Sequence, residues 1–145
     1  MLARRFYVVS LAGAALLTLT GCGGDSPVAS SSVVGRFALE SVNGKPLPYT
    51  LADTAFQGSA IRVEVVSPSL LNLKSDLSFQ FIVTTKVSAA GAAPMVAADT
   101  ASGTYSIAGR RLSMTAANGS TLQANWDGAN SLVLNATPDV LVFRR

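Results

Sequence analysis

Apolar and polar residues alternate along much of this chain, which is the two-residue period of a β-strand and not the period of a helix. The alternation is regular in the segment AIRVEVV at 60–66, and the longest run, 77–87, places Phe79 and Phe81 on one face. From this pattern we predict nine strands, at 35–42, 60–66, 69–74, 77–87, 102–107, 111–115, 120–126, 131–135 and 140–144.

Turn-forming pairs separate the predicted strands. Asn43-Gly44, Asn118-Gly119 and Asp127-Gly128 combine residues that tolerate the positive φ of tight hairpins. Further turns are predicted at 74–76 and 108–109. Many short strands joined by tight turns predict an all-β fold, a small antiparallel up-and-down barrel of about eight strands.

Two predicted connections are longer, at 43–59 and 88–100, and would cover one end of such a barrel. Apart from a single turn predicted at 51–56, we expect no helix in this part of the chain. The stretch AAGAAPMVAA, at 89–98, is unusual for a connector because its residues are small and apolar. It is either a low-complexity loop, or a flap over the barrel mouth or a patch that touches a membrane or a partner.

The N-terminal residues have the pattern of a secretory signal. Arg4 and Arg5 precede an uncharged, mostly apolar run at 6–19, which is shorter than the roughly twenty residues of a membrane-spanning helix. The run ends in Leu19-Thr20-Gly21-Cys22, which resembles the lipobox of bacterial lipoproteins. The resemblance implies cleavage before Cys22 and attachment of acyl chains such as palmitate there. The alternative is an ordinary signal peptide with an unmodified Cys22.

These features divide the chain into a signal peptide at 1–21, a Gly/Ser-rich tether at 22–33 and a barrel domain at 34–145. Several acyl chains hold a protein stably at a membrane, so the predicted location is the cell envelope. Gly23, where an Asp would favour the inner membrane, favours the outer membrane, facing the periplasm or the surface.

The charge and the cysteine content of the chain exclude some partners and some means of stabilisation. The chain carries a net charge of +3, but Arg4 and Arg5 belong to the signal, so the barrel domain is close to neutral. We therefore expect no nucleic-acid partner. Cys22 is the single cysteine, so no disulfide can form within the domain and a hydrophobic core must stabilise it.

Three stretches resemble the lipocalin-like domains of small bacterial lipoproteins: VVGRFALESVNGKPLP at 33–48, SGTYSIAGRRLSMT at 102–115, and LVFRR at 141–145. The resemblance implies an eight-stranded barrel whose last strand pairs with its first. Phe37 takes the place of the Trp in the family's Gly-x-Trp, and Arg144 or Arg145 would supply the arginine that lies over that ring. The connection at 43–59 falls where the family places a lid loop.

The residues offer little for catalysis. The chain has no histidine, and Cys22 is the only thiol, which removes the commonest base, metal ligand and nucleophile. The carboxylates fall in predicted turns, loops or outward positions. We therefore predict that the protein is not an enzyme, with no catalytic residue, no metal site and no cofactor.

The barrel interior is the candidate site, because an eight-stranded barrel is either filled by its own side chains or holds one small ligand. In the first interpretation its aromatic residues are simply core. In the second they line an apolar cup, with space left by the small residues Gly103 and Ala124. The candidate ligand-binding residues are Phe79, Phe81, Tyr105 and Trp126. The two hypotheses are a lipid-anchored envelope protein that binds a small hydrophobic ligand, and a closed-barrel structural or protein-interaction module at the envelope.

Overall fold

A computed structural model describes residues 33–56 and 58–145. The ten secondary-structure elements that it describes are all strands, which confirms the all-β prediction. The ten strands are β1 (Gly35–Val42), β2 (Lys45–Pro46), β3 (Tyr49–Phe56), β4 (Ser59–Leu73), β5 (Ser78–Ala89), β6 (Met95–Ala108), β7 (Arg111–Ala116), β8 (Thr121–Trp126), β9 (Ser131–Ala136) and β10 (Asp139–Arg144).

Eight of these strands, β1 and β4 to β10, form a closed antiparallel barrel. The barrel closes because β1 pairs with β10 on one side and with β4 on the other. The pairing of β10 with β1 confirms the closure that the resemblance implies. Asn43 and Gly44, at φ of 53° and 74°, form the predicted tight turn after β1.

The barrel has two distinct ends. The base is the end at which β1 begins and β10 finishes, together with the turns at 74–77, 109–110 and 127–130. The upper end carries the turns at 43–44, 117–120 and 137–138 and the connection at 90–94. The described part of the chain begins at Val33, which is fully buried and lies just before the start of β1. The predicted tether therefore joins the domain at the base.

The prediction of a loop at 43–59 is wrong. This segment contains β2, which pairs with β1. It also contains β3, which pairs with the first half of β4. The turn predicted at 51–56 is therefore a strand. Leu47 and Tyr49 pack against the core from above, so part of the segment still covers the upper end.

The prediction of a long loop at 88–100 is also wrong. Strand β5 continues to Ala89 and β6 begins at Met95, so only residues 90–94 connect them. The strands predicted separately at 60–66 and 69–74 are one strand, β4, with an irregularity between Val66 and Leu70. As a result β4, β5 and β6 are much longer than the other barrel strands and extend beyond the upper end.

Hydrogen bonds from Ser69 hold the irregularity in β4. Ser69 is buried; its hydroxyl donates to Val66 O at 2.9 Å and accepts from the Thr84 N–H at 2.9 Å. The Thr84 hydroxyl donates to Pro68 O. Buried polar groups need such partners, and here they fix the point at which β4 leaves the barrel wall.

The core lies inside the barrel. Its side chains come from alternate positions of the strands, as the two-residue period predicts. The buried apolar residues are Val33, Phe37, Leu39, Val42, Val65, Leu71, Leu73, Phe79, Tyr105, Leu112, Met114, Ala124, Trp126, Leu132, Leu134 and Phe143. The strand pairing and the core described above are formed by residues of the predicted barrel domain, so we expect a fragment of residues 26–145 to fold without the predicted signal.

Candidate functional site

The four candidate ligand-binding residues all lie on the interior face of the barrel. Phe79, Tyr105 and Trp126 are buried, with exposed fractions of 2%, 4% and 3%. Phe81 is partly buried and meets Phe143 edge to face, with 5.7 Å between ring centres. The structure therefore brings the four residues to one apolar region, as the alternation predicts.

Much of this interior is filled by side chains. Phe37, Phe143, Leu71, Leu112, Met114, Leu132 and Leu134 have an exposed fraction of zero. A cavity large enough for water would expose the side chains that line it, so none of these seven borders such a cavity. This packing favours a filled barrel.

The two small inward residues leave less room than the sequence suggests. Ala124 is fully buried. A Cβ atom on Gly103 would lie 2.0 Å from Thr115 O and 2.8 Å from Ala116 Cα, both in the backbone of β7. Glycine at this position lets two strands approach closely, and the space that its missing side chain would need is already occupied.

The polar atoms of the interior differ in their hydrogen bonding. The Tyr105 hydroxyl donates to Lys74 O at 2.8 Å, near the base. Burial, and to a smaller extent the charge of Asp76, raises the pKa of Tyr105. The Trp126 indole Nε1–H is buried and has no hydrogen-bond acceptor within the described residues. A buried donor without an acceptor is uncommon, and it is the one polar group of this interior that a ligand would satisfy.

A cation–π contact closes the base. The Arg145 guanidinium lies over the Phe37 ring, with 4.7 Å from Cζ to the ring centre. Of the two arginines considered, Arg145 therefore occupies the position that the lipocalin resemblance implies. Arg144 instead forms an exposed ion pair with Glu40, at 2.6 Å.

Above the barrel, four strands continue as a separate surface, here called the projecting sheet. It consists of β3, residues 59–66 of β4, residues 83–89 of β5 and residues 95–101 of β6. Val63, Val87 and Met95 pair across three of its strands on the face that continues the barrel interior. This apolar face has no covering layer within the described residues.

Most exposed large hydrophobic residues lie on the projecting sheet. Among the described residues there are six, and four of them are Leu51, Val87, Met95 and Val96, at 49%, 39%, 74% and 64%. Val87 and Met95 are paired neighbours on one face, and adjacent exposed apolar residues mark interaction surfaces. Val96 is on the opposite face, and Leu51 lies on β3, at the other edge of this sheet. The two most exposed, Met95 and Val96, are adjacent on β6.

Strand β6 has an open backbone edge along residues 95–101. On one side this segment pairs with β5, but β7 pairs only with the second half of β6, from Gly103 onward. The Ser102 carbonyl accepts from the Ala117 N–H at 2.9 Å, on the β7 side. Alternate residues direct their backbone groups to the same side. Val96, Ala98 and Thr100 therefore direct theirs to the open edge.

The opposite face of the projecting sheet carries a shallow cleft of ≈ 490 Å³. Arg62 pairs with Asp53 at 3.0 Å and Lys86 with Glu64 at 3.7 Å within it. The four charges balance as two pairs.

Other classes of site find no support in residues 33–56 and 58–145. No three His, Cys, Asp or Glu side chains gather there as a metal site. No helix in the described part of the chain is both long and apolar enough to cross a membrane. Cys22, the predicted lipid attachment site, lies outside the described residues.

The open edge is the feature that the sequence interpretation missed. After Met95 and Val96, residues 97–101 have small side chains on both faces, so the segment shows no alternation of apolar and polar positions. One signal was present: Ala-Asp-Thr-Ala occurs at 52–55, in β3, and again at 98–101, in β6. Both copies form outer strands of the projecting sheet.

No protein-family model matches this sequence, and the comparisons with curated proteins and with solved structures found no match. The functional argument therefore depends on the sequence patterns and on the geometry described above.

Proposed function

We propose that this protein is a lipid-anchored interaction module of the bacterial cell envelope, which binds an extended strand of a partner protein along the open edge of β6. The lipobox-like sequence ending at Cys22 supports the anchor. The backbone groups of Val96, Ala98 and Thr100 support the binding mode, since they face outward without a paired strand among the described residues.

The open edge is the observation that carries this proposal. An exposed edge strand offers a row of backbone donors and acceptors to another chain. In strand addition these backbone bonds supply affinity, and neighbouring side chains supply specificity. Met95 and Val96 provide apolar contacts beside the edge. Asp99 is the single charged residue in the segment 95–101, and a charge on an edge strand disfavours non-specific pairing with other chains.

The edge is opposite the anchor. The tether joins at the base, whereas the projecting sheet extends from the upper end. A domain that stands on its base would therefore present the edge of β6 away from the membrane. This arrangement suits capture of a partner in the periplasm or at the surface, with the outer membrane favoured by Gly23.

The anchor and the edge need separate experiments. For the anchor, the full chain is expressed in bacteria with labelled palmitate, beside Cys22→Ser. Label in the wild type alone, with the variant released from membranes, is the expected result. Equal labelling of both proteins would contradict lipidation at Cys22.

For the edge, a photo-crosslinking amino acid replaces Val96 in cells, and the same amino acid replaces Thr115 as a control. Thr115 is exposed, but its strand β7 is paired on both sides. We expect a discrete crosslinked partner from position 96 only. Ala98→Pro should remove it, because proline lacks the outward N–H, whereas Ala98→Ser should retain it. Crosslinks that persist in Ala98→Pro would contradict strand addition.

A second candidate function is binding of a small hydrophobic ligand by the barrel. The observation that favours it is the buried Trp126 Nε1–H without an acceptor. The filled interior disfavours it. Titration of residues 26–145 with a fatty acid, observed through the Trp126 indole proton resonance, separates the two. A saturable one-to-one shift would support the carrier, and an unchanged resonance would exclude that ligand class.

A further inference from the structure

The charges of the domain are distributed unequally between its two ends. Six of the nine Lys and Arg side chains within the described residues lie at or next to the turns and strand ends of the base, and all six are exposed: Arg36, Lys74, Arg110, Arg111, Arg144 and Arg145. These cations are scattered along the sequence, from the first strand to the last. Only the closure of the barrel brings them together, which is why the sequence shows no basic stripe.

Few carboxylates offset the cations of the base. Asp76 and Asp127 lie in its turns, and Glu40 is paired with Arg144. Six cations against three acids leave an excess of positive charge at this end. The remaining three cations, Lys45, Arg62 and Lys86, face four acids elsewhere, and two of the three are in ion pairs. The near-neutral domain is therefore polarised along the barrel axis.

We infer that the base is a docking surface for an anionic lipid membrane. The described chain enters the barrel at Val33, so the tether would hold this end nearest to the bilayer. A Gly/Ser-rich coil with the length of the predicted tether before Val33, eleven residues, spans on the order of 17–20 Å. Within that range the base can reach headgroups, and electrostatic attraction acts over a Debye length of about 8 Å. Lys and Arg side chains close to an anionic membrane each add to its affinity.

Docking by the base would orient the domain. A lipid anchor by itself lets the barrel tumble on its tether, whereas a cationic base facing the bilayer holds the projecting sheet on the far side. This inference extends the proposed anchoring through Cys22, but it makes a separate statement about the barrel surface. Its test therefore uses protein without Cys22.

The experiment uses residues 26–145 and vesicles of phosphatidylcholine, either pure or with one-third phosphatidylglycerol, in a sedimentation assay at low salt. We expect partition into the anionic vesicles to exceed that into neutral vesicles by about tenfold or more. The triple variant Arg36→Gln, Arg110→Gln, Arg111→Gln should lose most of this difference. The matched variant Lys45→Gln, Arg62→Gln, Lys86→Gln removes the same charge elsewhere and should keep it.

Three outcomes would overturn the inference: no preference for the anionic vesicles, equal losses in the two triple variants, or tighter binding of a DNA duplex than of the vesicles through the same cations. Circular dichroism melting of each variant establishes that it is folded. If palmitate labelling at Cys22 fails while vesicle binding depends on the base, the anchor is refuted and the docking surface stands. The reverse result refutes the docking surface alone.

Discussion

The Arg145 guanidinium stacks on the ring of Phe37, which joins the end of the chain described here to its first barrel strand. Phe37 is fully buried, and Arg145 also lies against Gly35, within 3.7 Å of the position that a Cβ atom would take there. The contact therefore covers the core at the base, beside the β1–β10 pairing that closes the barrel.

Loss of this contact should destabilise the domain. We expect Arg145→Ala to lower the free energy of unfolding by about 1 kcal/mol, because it removes a cation–π contact and the cover over Phe37. Arg144→Ala is the matched control, since its ion pair is exposed and contributes a few tenths of a kcal/mol. Urea denaturation measures both. Equal effects of the two substitutions would contradict a specific role for Arg145.

Gly103→Ala should destabilise the domain, although it adds only one methyl group. The added methyl group would meet the backbone of β7, which cannot move without breaking strand pairing. Overpacking of this kind costs about 1–3 kcal/mol. Ser102→Ala, at the exposed neighbouring position, should stay within about 0.5 kcal/mol of the wild type. A thermal melt of Gly103→Ala that matches the wild type would show that the two strands are farther apart.

Ser69→Ala should weaken the point at which β4 leaves the barrel. The substitution removes the acceptor of the buried Thr84 N–H, and an unsatisfied buried group costs about 1–3 kcal/mol. Ser88→Ala is the control, because the Ser88 side chain forms no hydrogen bond with another described residue and the change should be below about 0.5 kcal/mol. Comparable losses of unfolding free energy in both variants would argue against this role of Ser69.

The strands of the barrel could be predicted from the sequence because the barrel encloses the hydrophobic core. Each inward position must be apolar, so strands such as β1 and β7 to β10 show the two-residue period. The same pattern placed Phe79, Tyr105 and Trp126 inside. Whether the barrel is filled could not be predicted, since it depends on contacts such as Gly103 against β7.

The projecting sheet could not be predicted from alternation. Strands β3 and β6 are held there by backbone hydrogen bonds to β4 and β5, and both faces of residues 95–101 are exposed. A strand without a buried face needs no apolar period. The excess of positive charge at the base could not be predicted from the sequence either, because its cations come together only in the folded barrel.

Acid should weaken the turn at 127–130. The Asp127 carboxylate accepts from the Ser131 and Ala129 N–H groups, at 3.0 and 2.8 Å. These bonds lower the pKa of Asp127 below its usual 3.8. A depressed folded-state pKa means that the stabilisation is present above the unfolded value and is lost as the pH falls through the folded one. The window therefore lies below pH 3.8.

Carboxyl-carbon NMR titration of Asp127 tests this directly. The Asp76 carboxylate, which accepts from the Ser78 hydroxyl and N–H, has a lowered pKa for the same reason and should titrate in the same direction. Asp127→Asn keeps an oxygen acceptor and should remove this part of the acid sensitivity. A midpoint for Asp127 at or above its usual value would contradict the described turn.

The central claim is that residues 95–101 of β6 are an open edge. Amide hydrogen exchange tests it most directly, measured residue by residue in a dilute solution of the fragment 26–145. The account predicts that the amides of Val96, Ala98 and Thr100, which face outward, exchange about tenfold or more faster than those of Ala97 and Asp99, which face β5. Equal protection of all five amides would show that the edge is already covered, and strand addition there would be excluded.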